Sequence, residues 1–369
     1  MTGTDNQNGA CRHIILIPTL QPQSGLLDYV AQLREDDAIA QVVIVDDGSG
    51  LRYRHIFNEL ERAGNPVLTH EHNQGKGAAL KTGMAWIKEH YPQPFTVITV
   101  DSDGQHRIED VIAMVRESAG SLNSLILGCR DFSTPGTPWK SVLGNKFSTL
   151  LFTCLYQVKL ADTQTGMRSF GSDLVPTFLS LPGNGFEYET QMLVIAAQRH
   201  VPIVSMPIAT IYNDGNQGTH FHAIRDSFII MKALMGAFVS FSLSSLLCAI
   251  VDIALAGLFF SIPLGGLGVT TYMHTFVATC LARVMSIALN FAINRTLIFK
   301  DLSSLPSSLL RYVSLSLMLI VLSASGVYAL HQLFNISQVT GKIICDCMLY
   351  FLSYYVQSRW VFNNDSRAQ

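Results

Sequence analysis

The sequence predicts an α/β domain with a mostly parallel sheet, followed by an all-α membrane domain of four helices. Between residues 12 and about 202, apolar strand-like runs alternate with amphipathic stretches, which is typical of a parallel sheet covered by helices on both faces. The last third of the chain instead contains four long apolar stretches. Of the 52 Asp, Glu, Lys and Arg residues, 41 lie in the first 235 positions, and no Glu follows Glu189. The two parts are therefore expected to face different solvents.

Five strands and four helices are predicted in the first part of the chain. The strands cover residues 13–17, 41–45, 67–70, 95–100 and 125–128, and the helices cover 26–34, 53–63, 78–90 and 108–118. Ligands of such sheets lie beyond the carboxyl ends of the strands. The polar residues that follow each strand are therefore the candidate site.

Polar clusters follow the first four strands. They are Pro18-Thr19, Asp46-Asp47-Gly48-Ser49, Asn73-Gln74-Gly75-Lys76-Gly77 and Asp101-Ser102-Asp103. Asp101 and Asp103 can lean to the same side past the strand end, where two carboxylates could hold Mg²⁺ or Mn²⁺ on a nucleotide diphosphate. A capped turn is the alternative for the aspartates. The glycine-rich loop is interpreted either as a simple loop before a helix or as a phosphate cradle of main-chain N–H groups and one ammonium.

The ordered set of motifs resembles a known family. The segments that carry the likeness are Ile17-Pro18-Thr19, Val45-Asp46-Asp47-Gly48-Ser49, the run from Asn73 to Gly83, and Asp101-Ser102-Asp103-Gly104-Gln105-His106. Together they resemble the nucleotide-sugar domain of family-2 glycosyltransferases of the GT-A fold. Within that family they are similar to the dolichol-phosphate mannose synthase and polyprenyl-phosphate glycosyltransferase branch. The resemblance covers about residues 12–234.

The resemblance implies roles at the matching positions. Those implied for the nucleotide sugar are Pro18, Thr19, Asp46, Asp47, Lys76, Asp101, Ser102 and Asp103. The metal ligands would be Asp101, Asp103 and Gln105. Tyr-Asn-Glu usually follows Pro-Thr in the family, whereas Leu20-Gln21-Pro22-Gln23 stands here, so the acidic contact expected there is missing. After Asp-Gly-Ser the usual polar Asp-Gly-Thr is replaced by Gly50-Leu51-Arg52.

The acceptor side is implied by two further motifs. Gly128-Cys129-Arg130 matches the family's Gly-Ser-Arg, and the run from Asp162 to Arg168 matches Asp-x-x-x-Gly-Phe-Arg. Arg130 and Arg168 would bind phosphate through their planar forks and act in catalysis with Asp103, although surface ion pairs are the alternative. Glu187, Glu189 and His220 complete the acceptor-side candidates, and charge at a helix N-terminus is the competing explanation for the two glutamates.

The membrane half is predicted to contain four spans. They cover residues 240–262, 274–292, 312–333 and 339–361, each near the roughly 20 residues that a bilayer requires. Basic residues favour a cytosolic position for three sets of loops and termini: Arg225 and Lys232; Arg295, Lys300 and Arg311; Arg359 and Arg367. The opposite loops offer Lys342 alone, so both termini are expected in the cytosol.

This half also repeats itself. Residues 290–299 align without a gap with residues 353–362, which indicates a parallel repeat of two helical hairpins. It resembles the GtrA-like four-helix membrane domain, whose members are implied to help move or organise lipid-linked sugars. Asp252, Arg283 and Asp346 lie within the spans, where they are interpreted either as structural pairs or as a polar path for head groups.

The predicted domains are a polar tail at 1–11, the GT-A domain at 12–210, an interfacial amphipathic linker helix at 211–238 and the membrane domain at 239–369. The polar start lacks the pattern of a signal peptide, so the first domain is expected in the cytosol. The net charge of −2, without a basic run, argues against a nucleic-acid partner. The seven cysteines lack Cys-x-x-Cys spacing and are expected to be reduced thiols.

The resemblance implies metal-dependent, inverting transfer of one sugar from a UDP- or GDP-linked donor to a polyprenyl phosphate, undecaprenyl or dolichyl. The enzyme would be a multi-pass protein of the bacterial inner membrane, in cell-envelope polysaccharide synthesis, with a homo-oligomer as a further expectation. The membrane domain would anchor the enzyme or help to move its product. Two rivals are a processive polysaccharide synthase, against which the lack of a Gln-x-x-Arg-Trp segment counts, and a non-catalytic lipid-linked sugar transporter, against which the intact Asp101-Ser102-Asp103 counts.

Overall fold

The computed structural model describes residues 11–23, 25–132, 139–209, 223–262, 271–299, 301 and 303–362. The chain divides into two compact units, Met1–Leu234 and Met235–Gln369. All seven cysteines are free thiols in this structure.

The N-terminal unit is built on one sheet. Its strands are β1 (Arg12–Thr19), β2 (Ile39–Asp46), β3 (Val67–Thr69), β4 (Phe95–Thr99), β5 (Leu125–Arg130), β6 (Arg168–Gly171) and β7 (Ile203–Ile208). They lie in the order β3-β2-β1-β4-β6-β5-β7. β6 is antiparallel to β4 and β5, whereas the other neighbouring pairs are parallel. The prediction of a mostly parallel sheet is therefore confirmed.

Helices cover both faces of this sheet. They are α1 (Leu26–Leu33), α2 (Arg54–Arg62), α3 (Lys76–His90), α4 (Ile108–Ser118), α5 (Trp139–Tyr156), α6 (Val175–Leu179) and α7 (Glu187–Gln198). Successive residues of β1 point to opposite faces. Ile14 and Leu16 pack in one core cluster with residues of α3 and α7, and Ile15 and Ile17 pack in a second cluster with residues of α1, α2 and α4.

Two strands were not predicted from the sequence, and each has a physical reason. β6 has only four residues, Arg-Ser-Phe-Gly, and begins with a buried arginine, so it shows no apolar alternation. β7 contains Pro207, which cannot donate to a central ladder. β7 lies at the edge of the sheet, where a proline is tolerated. The five predicted strands and four predicted helices are all present, with ends shifted by a few residues.

The C-terminal unit is helical. Its helices are α8 (Ala223–Phe260), which begins in the N-terminal unit, α9 (Thr271–Ile293), α10 (Leu305–Phe334) and α11 (Gln338–Val356). Within the described residues, three segments are long and apolar enough to cross a membrane: Phe238–Phe260, Cys280–Ile298 and Leu305–Phe334. The fourth predicted span corresponds to α11, which is not among them. α8 runs without interruption from Ala223, whereas the sequence predicted a linker helix separate from the first span.

The two aligned repeat segments contact each other through buried amides. Asn294 and Gln357 occupy equivalent repeat positions, and each begins a five-residue π-helical turn, Asn294–Ile298 and Gln357–Val361. Asn294 Nδ2 donates to Gln357 Oε1 at 2.9 Å, and Ser244 Oγ donates to Asn294 Oδ1 at 3.2 Å. Both amides are at least 95% buried. The repeat therefore has a polar hydrogen-bonded centre inside an apolar unit.

The amide contact predicts a non-additive effect on stability. Asn294→Leu leaves the buried Gln357 Oε1 without its donor, so we expect it to lower the free energy of unfolding by about 1–2 kcal/mol. Gln357→Leu should act similarly, and the double variant should lose less than the sum of the two. Thermal unfolding in detergent measures all three, with the exposed Thr296→Val as control. Wild-type unfolding temperatures in both single variants would contradict a stabilising role for the pair.

Candidate active site

The site lies at the carboxyl end of β4, where the chain leaves the buried strand. Asp101 and Asp103 follow Thr99 and Val100, and the main-chain N–H of Gln105 donates to Asp103 Oδ1 at 3.1 Å, closing a tight turn. This turn keeps both carboxylates at the strand end, as the sequence predicted. Both are partly exposed, unlike the fully buried residues of β4 that precede them.

Asp101 is held by an ammonium from another loop. Lys76 Nζ, at the first residue of α3, lies 2.7 Å from Asp101 Oδ1 and 2.9 Å from Glu189 Oε2 in the first turn of α7. His106 Nε2 approaches the other oxygen, Asp101 Oδ2, at 3.7 Å. One cation thus joins the carboxylates of two different structural elements.

This cluster shifts the pKa values of its members. Burial would lower the pKa of Lys76, but the adjoining carboxylates of Asp101 and Glu189 outweigh burial, and the pKa is raised. Burial opposes ionisation of Asp101, yet the Lys76 ammonium and His106 hold its pKa below the usual range. The pKa of Asp103 is raised by burial and by the neighbouring charge of Asp101. The cluster therefore holds Lys76 charged and Asp101 ionised.

Several buried polar atoms around the cluster have no hydrogen-bond partner within the described part of the chain. They are Glu189 Oε1, Arg168 Nη2, His106 Nδ1 and the Tyr29 hydroxyl. Such atoms are uncommon in folded proteins and call for a physical explanation. Burial and the carboxylates of Asp101, Asp103 and Asp110 raise the pKa of Tyr29. Sequence reasoning missed Tyr29, because nothing distinguishes it from a core residue of α1.

Asp47 joins the loops that follow β2 and β3. Its Oδ1 accepts from the N–H of Gln74 at 2.9 Å, and its Oδ2 accepts from the N–H of Gly75 at 2.8 Å. His70 Nδ1 lies 2.7 Å from Asp47 Oδ1, and its Nε2 lies 2.9 Å from Thr82 Oγ1. His70 was not identified from the sequence. In this structure Asp47 connects the two loops through these hydrogen bonds. Because it is only 3% exposed, its part in nucleotide binding stays a prediction.

Hydrogen bonds also connect the loops that follow β1 and β2. Asp46 Oδ1 accepts from the N–H of Ser49 at 2.8 Å, and Ser49 Oγ accepts from the N–H of Gln21 at 2.8 Å. Thr19, whose carbonyl accepts from the N–H of Asp47 at 2.8 Å, is buried. Pro18 and Thr19 end β1 beside β2, so the structure brings the first two clusters together. Ser102 lies between the two aspartates and is partly exposed.

Contacts within the protein hold the glycine-rich loop, and its interpretation as a phosphate cradle stays a prediction. Two of its N–H groups are bound by Asp47, and the N–H of Ala78 donates to the carbonyl of Asn184 at 3.0 Å. A side chain at Gly75 would clash with the Asn184 carbonyl, and one at Gly77 would lie 2.5 Å from Tyr188 Cβ. The glycines thus let the start of α3 pack closely against the segment before α7, more than 100 residues away.

Arg130 makes a bidentate ion pair. Its Nε and Nη2 lie 2.7 Å and 3.2 Å from the two oxygens of Asp162, a residue with no exposed surface. The guanidinium carbon lies 5.0 Å from the centre of the Phe132 ring. Arg130, Asp101, Gln105 and His106 line one cleft. The structure therefore brings Arg130 and two of the three metal-ligand candidates, Asp101 and Gln105, to the same opening.

Arg168 lies near the cluster but is not among the residues that line the cleft. It is 1% exposed, its Nε donates to the Thr165 carbonyl at 3.0 Å and its Nη1 donates to the Glu189 carbonyl. Burial lowers the pKa of Arg168. In this structure its side chain supports the main chain around Glu189 and has almost no surface for an acceptor phosphate, so its catalytic role stays a prediction that the geometry does not favour.

The other acceptor-side candidates differ in their contacts. Glu187 Oε1 accepts from the N–H groups of Asn184 and Gly185, both at 3.0 Å, which favours the interpretation as charge at the start of a helix. His220 lies outside the described residues. Among the acceptor-side candidates that the structure describes, Arg130 is the one that lines the cleft.

The candidate metal ligands carry hard oxygen atoms, which suit a divalent cation such as Mg²⁺ or Mn²⁺. Within the described residues no group of three or more His, Cys, Asp or Glu is arranged to hold a metal. Mg²⁺ and Mn²⁺ need only one or two carboxylates where phosphate oxygens and water fill the other positions. Asp101 and Asp103 supply two carboxylates at the end of β4, and Asp101 and Gln105 line the same cleft. Gly166 packs closely against Asp101, since a Cβ there would clash with Asp101 Oδ2.

The charged residues that the sequence predicts within the membrane spans belong to the C-terminal unit. Arg283 Nη2 lies 3.1 Å from Asp252 Oδ2, and Ser323 Oγ donates to Asp346 Oδ1 at 2.9 Å. Arg283 and Asp346 are separated by 63 residues, the same offset as the aligned repeat. Each hairpin thus uses the same repeat position for a polar contact between its helices.

Two family models match the chain. Residues 14–171 match the family described as glycosyl transferase family 2, and residues 234–362 match the GtrA/DPMS transmembrane domain. The UDP-N-acetylglucosamine–dolichyl-phosphate N-acetylglucosaminyltransferase of Methanococcus voltae is 28% identical over 223 residues, 54% of this chain and 86% of the relative. The polyprenol monophosphomannose synthase of Mycolicibacterium smegmatis is 22% identical over 208 residues, 53% of this chain and 76% of the relative. Among solved structures, glucosyl-3-phosphoglycerate synthase from Mycobacterium tuberculosis is 17% identical, with coverage of 62% of this chain and 80% of that chain and a TM-score of 0.46.

The close packing at the glycine-rich loop predicts a difference between two alanine variants. Gly75 and Gly64 both have positive φ, +102° and +85°, but a side chain at Gly64 meets nothing within 4 Å. Gly64→Ala should therefore lose only the backbone strain, about 1–2 kcal/mol, and Gly75→Ala about 1–3 kcal/mol more through its clash with Asn184. Thermal unfolding of the purified proteins measures both. Equal losses of unfolding free energy in the two variants would mean that Asn184 moves to accommodate the new methyl group without an energetic penalty.

Proposed function

Because this chain joins a glycosyltransferase family 2 domain to a GtrA/DPMS transmembrane domain, we propose that it transfers one sugar from a nucleotide diphosphate to a polyprenyl phosphate. The observation that carries the proposal is the cleft at the end of β4, where Asp101, Gln105 and Arg130 meet. Carboxylates there suit a metal-bound diphosphate, and an arginine suits a phosphate. The names of two relatives, which specify dolichyl phosphate and polyprenol, support the same acceptor class.

Asp101, Asp103 and Gln105 would hold Mg²⁺ or Mn²⁺ on the donor. When bound, the cation supplies positive charge to the diphosphate that leaves. Lys76 lies beside Asp101 and would add a second positive charge on the donor side. Asp46 and Asp47 fix the loops that border the nucleotide, since they bind the main chain of both neighbouring segments.

Arg130 would orient the acceptor. Arg130 lines the cleft, and its ion pair with the buried Asp162 fixes the plane of the guanidinium. An acceptor phosphate is already ionised near neutral pH, so it needs no strong general base, and catalysis rests on positioning and charge stabilisation. A phosphate oxygen attacks the anomeric carbon as the bond to the diphosphate breaks, and this single displacement inverts the configuration.

The C-terminal unit would anchor the enzyme and organise the lipid. Its three apolar segments and its GtrA/DPMS match support a membrane protein. The excess of basic residues on one side supports a cytosolic catalytic domain and cytosolic termini. We extend this to four spans, with α11 as the fourth, because a two-hairpin repeat returns the chain to the same side.

The metal assignment predicts that Asp103→Asn abolishes transfer without unfolding the protein. The change removes one ligand charge at a partly exposed turn and leaves the core intact, so we expect a loss of about 100-fold or more in turnover. Sugar transfer by purified protein with Mg²⁺ or Mn²⁺ measures it, and the exposed Asp173→Asn serves as control. Near-wild-type turnover of Asp103→Asn at saturating metal would remove Asp103 from the metal site.

The acceptor assignment predicts a selective effect of Arg130→Lys. The lysine keeps the charge but loses the fork that binds both Asp162 and a phosphate, so the KM for the lipid phosphate should rise about tenfold or more. The Kd of the nucleotide sugar should change little. Steady-state kinetics with both substrates, together with donor binding by calorimetry, separates the two. A parallel loss in both would place Arg130 on the donor side.

A further inference from the structure

We propose that Lys76 opposes the binding of a divalent cation at Asp101, and that Glu189 is a positioning residue which holds Lys76 when the cation binds. The inference rests on the proposed metal site at Asp101. It adds a role for Glu189, which acts through Lys76 and need not touch substrate.

The geometry shows Lys76 shared between two carboxylates from two elements. Its Nζ is 2.7 Å from Asp101 Oδ1 and 2.9 Å from Glu189 Oε2. The side chains of Lys76 and Glu189 are only 16% and 10% exposed, so water screens this contact weakly. A divalent cation placed on Asp101 would therefore lie close to an ammonium of the same sign, and repulsion between them weakens binding.

Glu189 can accept a further hydrogen bond from the Lys76 ammonium. Its second oxygen, Oε1, is buried and has no hydrogen-bond partner within the described residues. A lysine carries three donors, so Lys76 can transfer the hydrogen bond that it gives Asp101 to Glu189 Oε1. This transfer would satisfy an unpartnered acceptor while it frees Asp101 for the cation.

Glu189 is also fixed in place. The buried Arg168 donates through Nη1 to the main-chain carbonyl of Glu189 and through Nε to that of Thr165. The residue therefore sits on a main chain that is tied to the interior. A carboxylate that is held in place can keep the Lys76 ammonium away from Asp101, whereas a mobile carboxylate would move together with the ammonium.

A matched lysine and a matched glutamate on the same two helices lack these contacts. Lys81 Nζ donates to the Gly183 carbonyl at 2.7 Å and lies 4.9 Å from the centre of the Tyr188 ring. Glu187 accepts from the main chain of Asn184 and Gly185. Lys81→Met and Glu187→Gln thus remove the same charges from the same elements without removing a contact to Asp101 or Lys76.

The experiment measures Mn²⁺ binding to the purified full-length protein in detergent, without nucleotide, from the electron paramagnetic resonance signal of free Mn²⁺. Lys76→Met should bind Mn²⁺ about tenfold or more tightly than wild type, because the competing charge is gone. Glu189→Gln should bind about threefold or more weakly, because Lys76 then stays on Asp101. In the Lys76→Met background, Glu189→Gln should lose most of its effect.

Three outcomes would overturn the inference. Equal Mn²⁺ affinity of Lys76→Met and Lys81→Met would show that Lys76 has no special relation to the cation. An effect of Glu189→Gln that persists in the Lys76→Met background, or that Glu187→Gln reproduces, would show that Glu189 acts through its own charge. Absence of Mn²⁺ binding in both wild type and Lys76→Met would remove the metal site and the inference together. If the affinities shift as expected while no sugar is transferred to polyprenyl phosphate, the inference stands and the proposed function fails.

Discussion

Carboxylates with little access to water determine how the loops at the carboxyl edge of the sheet are arranged. A charged group that leaves water must find hydrogen-bond donors or an opposite charge. Asp47 accepts from main-chain N–H groups and contacts His70, Asp162 pairs with Arg130, and Glu189 pairs with Lys76. Each partner comes from a different segment of the chain. The need to pair these charges therefore joins loops that the strands alone would leave independent.

The strand ends were predictable from the sequence, and the contacts between them were not. Apolar runs followed by polar clusters locate the ends of β1, β2 and β4, because burial on both faces requires such runs. The contact of Lys76 with Glu189 joins residues 113 positions apart, and no local pattern encodes it. A similar separation conceals why positions 75 and 77 are glycines, since both pack against Asn184, more than 100 residues along the chain.

In the C-terminal unit the sequence repeat was more informative than apolar length. Length and hydropathy count three membrane-crossing segments within the described residues, whereas the repeat relates α9 to α11 position by position. Equivalent positions of the repeat need not carry the same side chain. Asn294 corresponds to Gln357, to which it is hydrogen-bonded, and Arg283 corresponds to Asp346, which has the opposite charge. The two copies share a place for polar contacts between helices. The facing helix determines the kind of contact: Asp252 forms an ion pair with Arg283, whereas Ser323 donates a hydrogen bond to Asp346.

The two oxygens of Asp101 have different surroundings, and this difference orders the site. Oδ1 is bonded to Lys76, while Oδ2 lies toward His106 and Gly166, which both line the cleft. A Cβ at position 166 would lie 2.6 Å from Oδ1 and closer still to Oδ2, so a glycine is needed there for the main chain to approach this carboxylate so closely. In the proposed site, Asp101 divides its negative charge between Lys76 and a bound cation. Because Glu189 Oε2 shares the Lys76 ammonium, at 2.9 Å, Glu189 determines how much of the Asp101 charge is left for the cation.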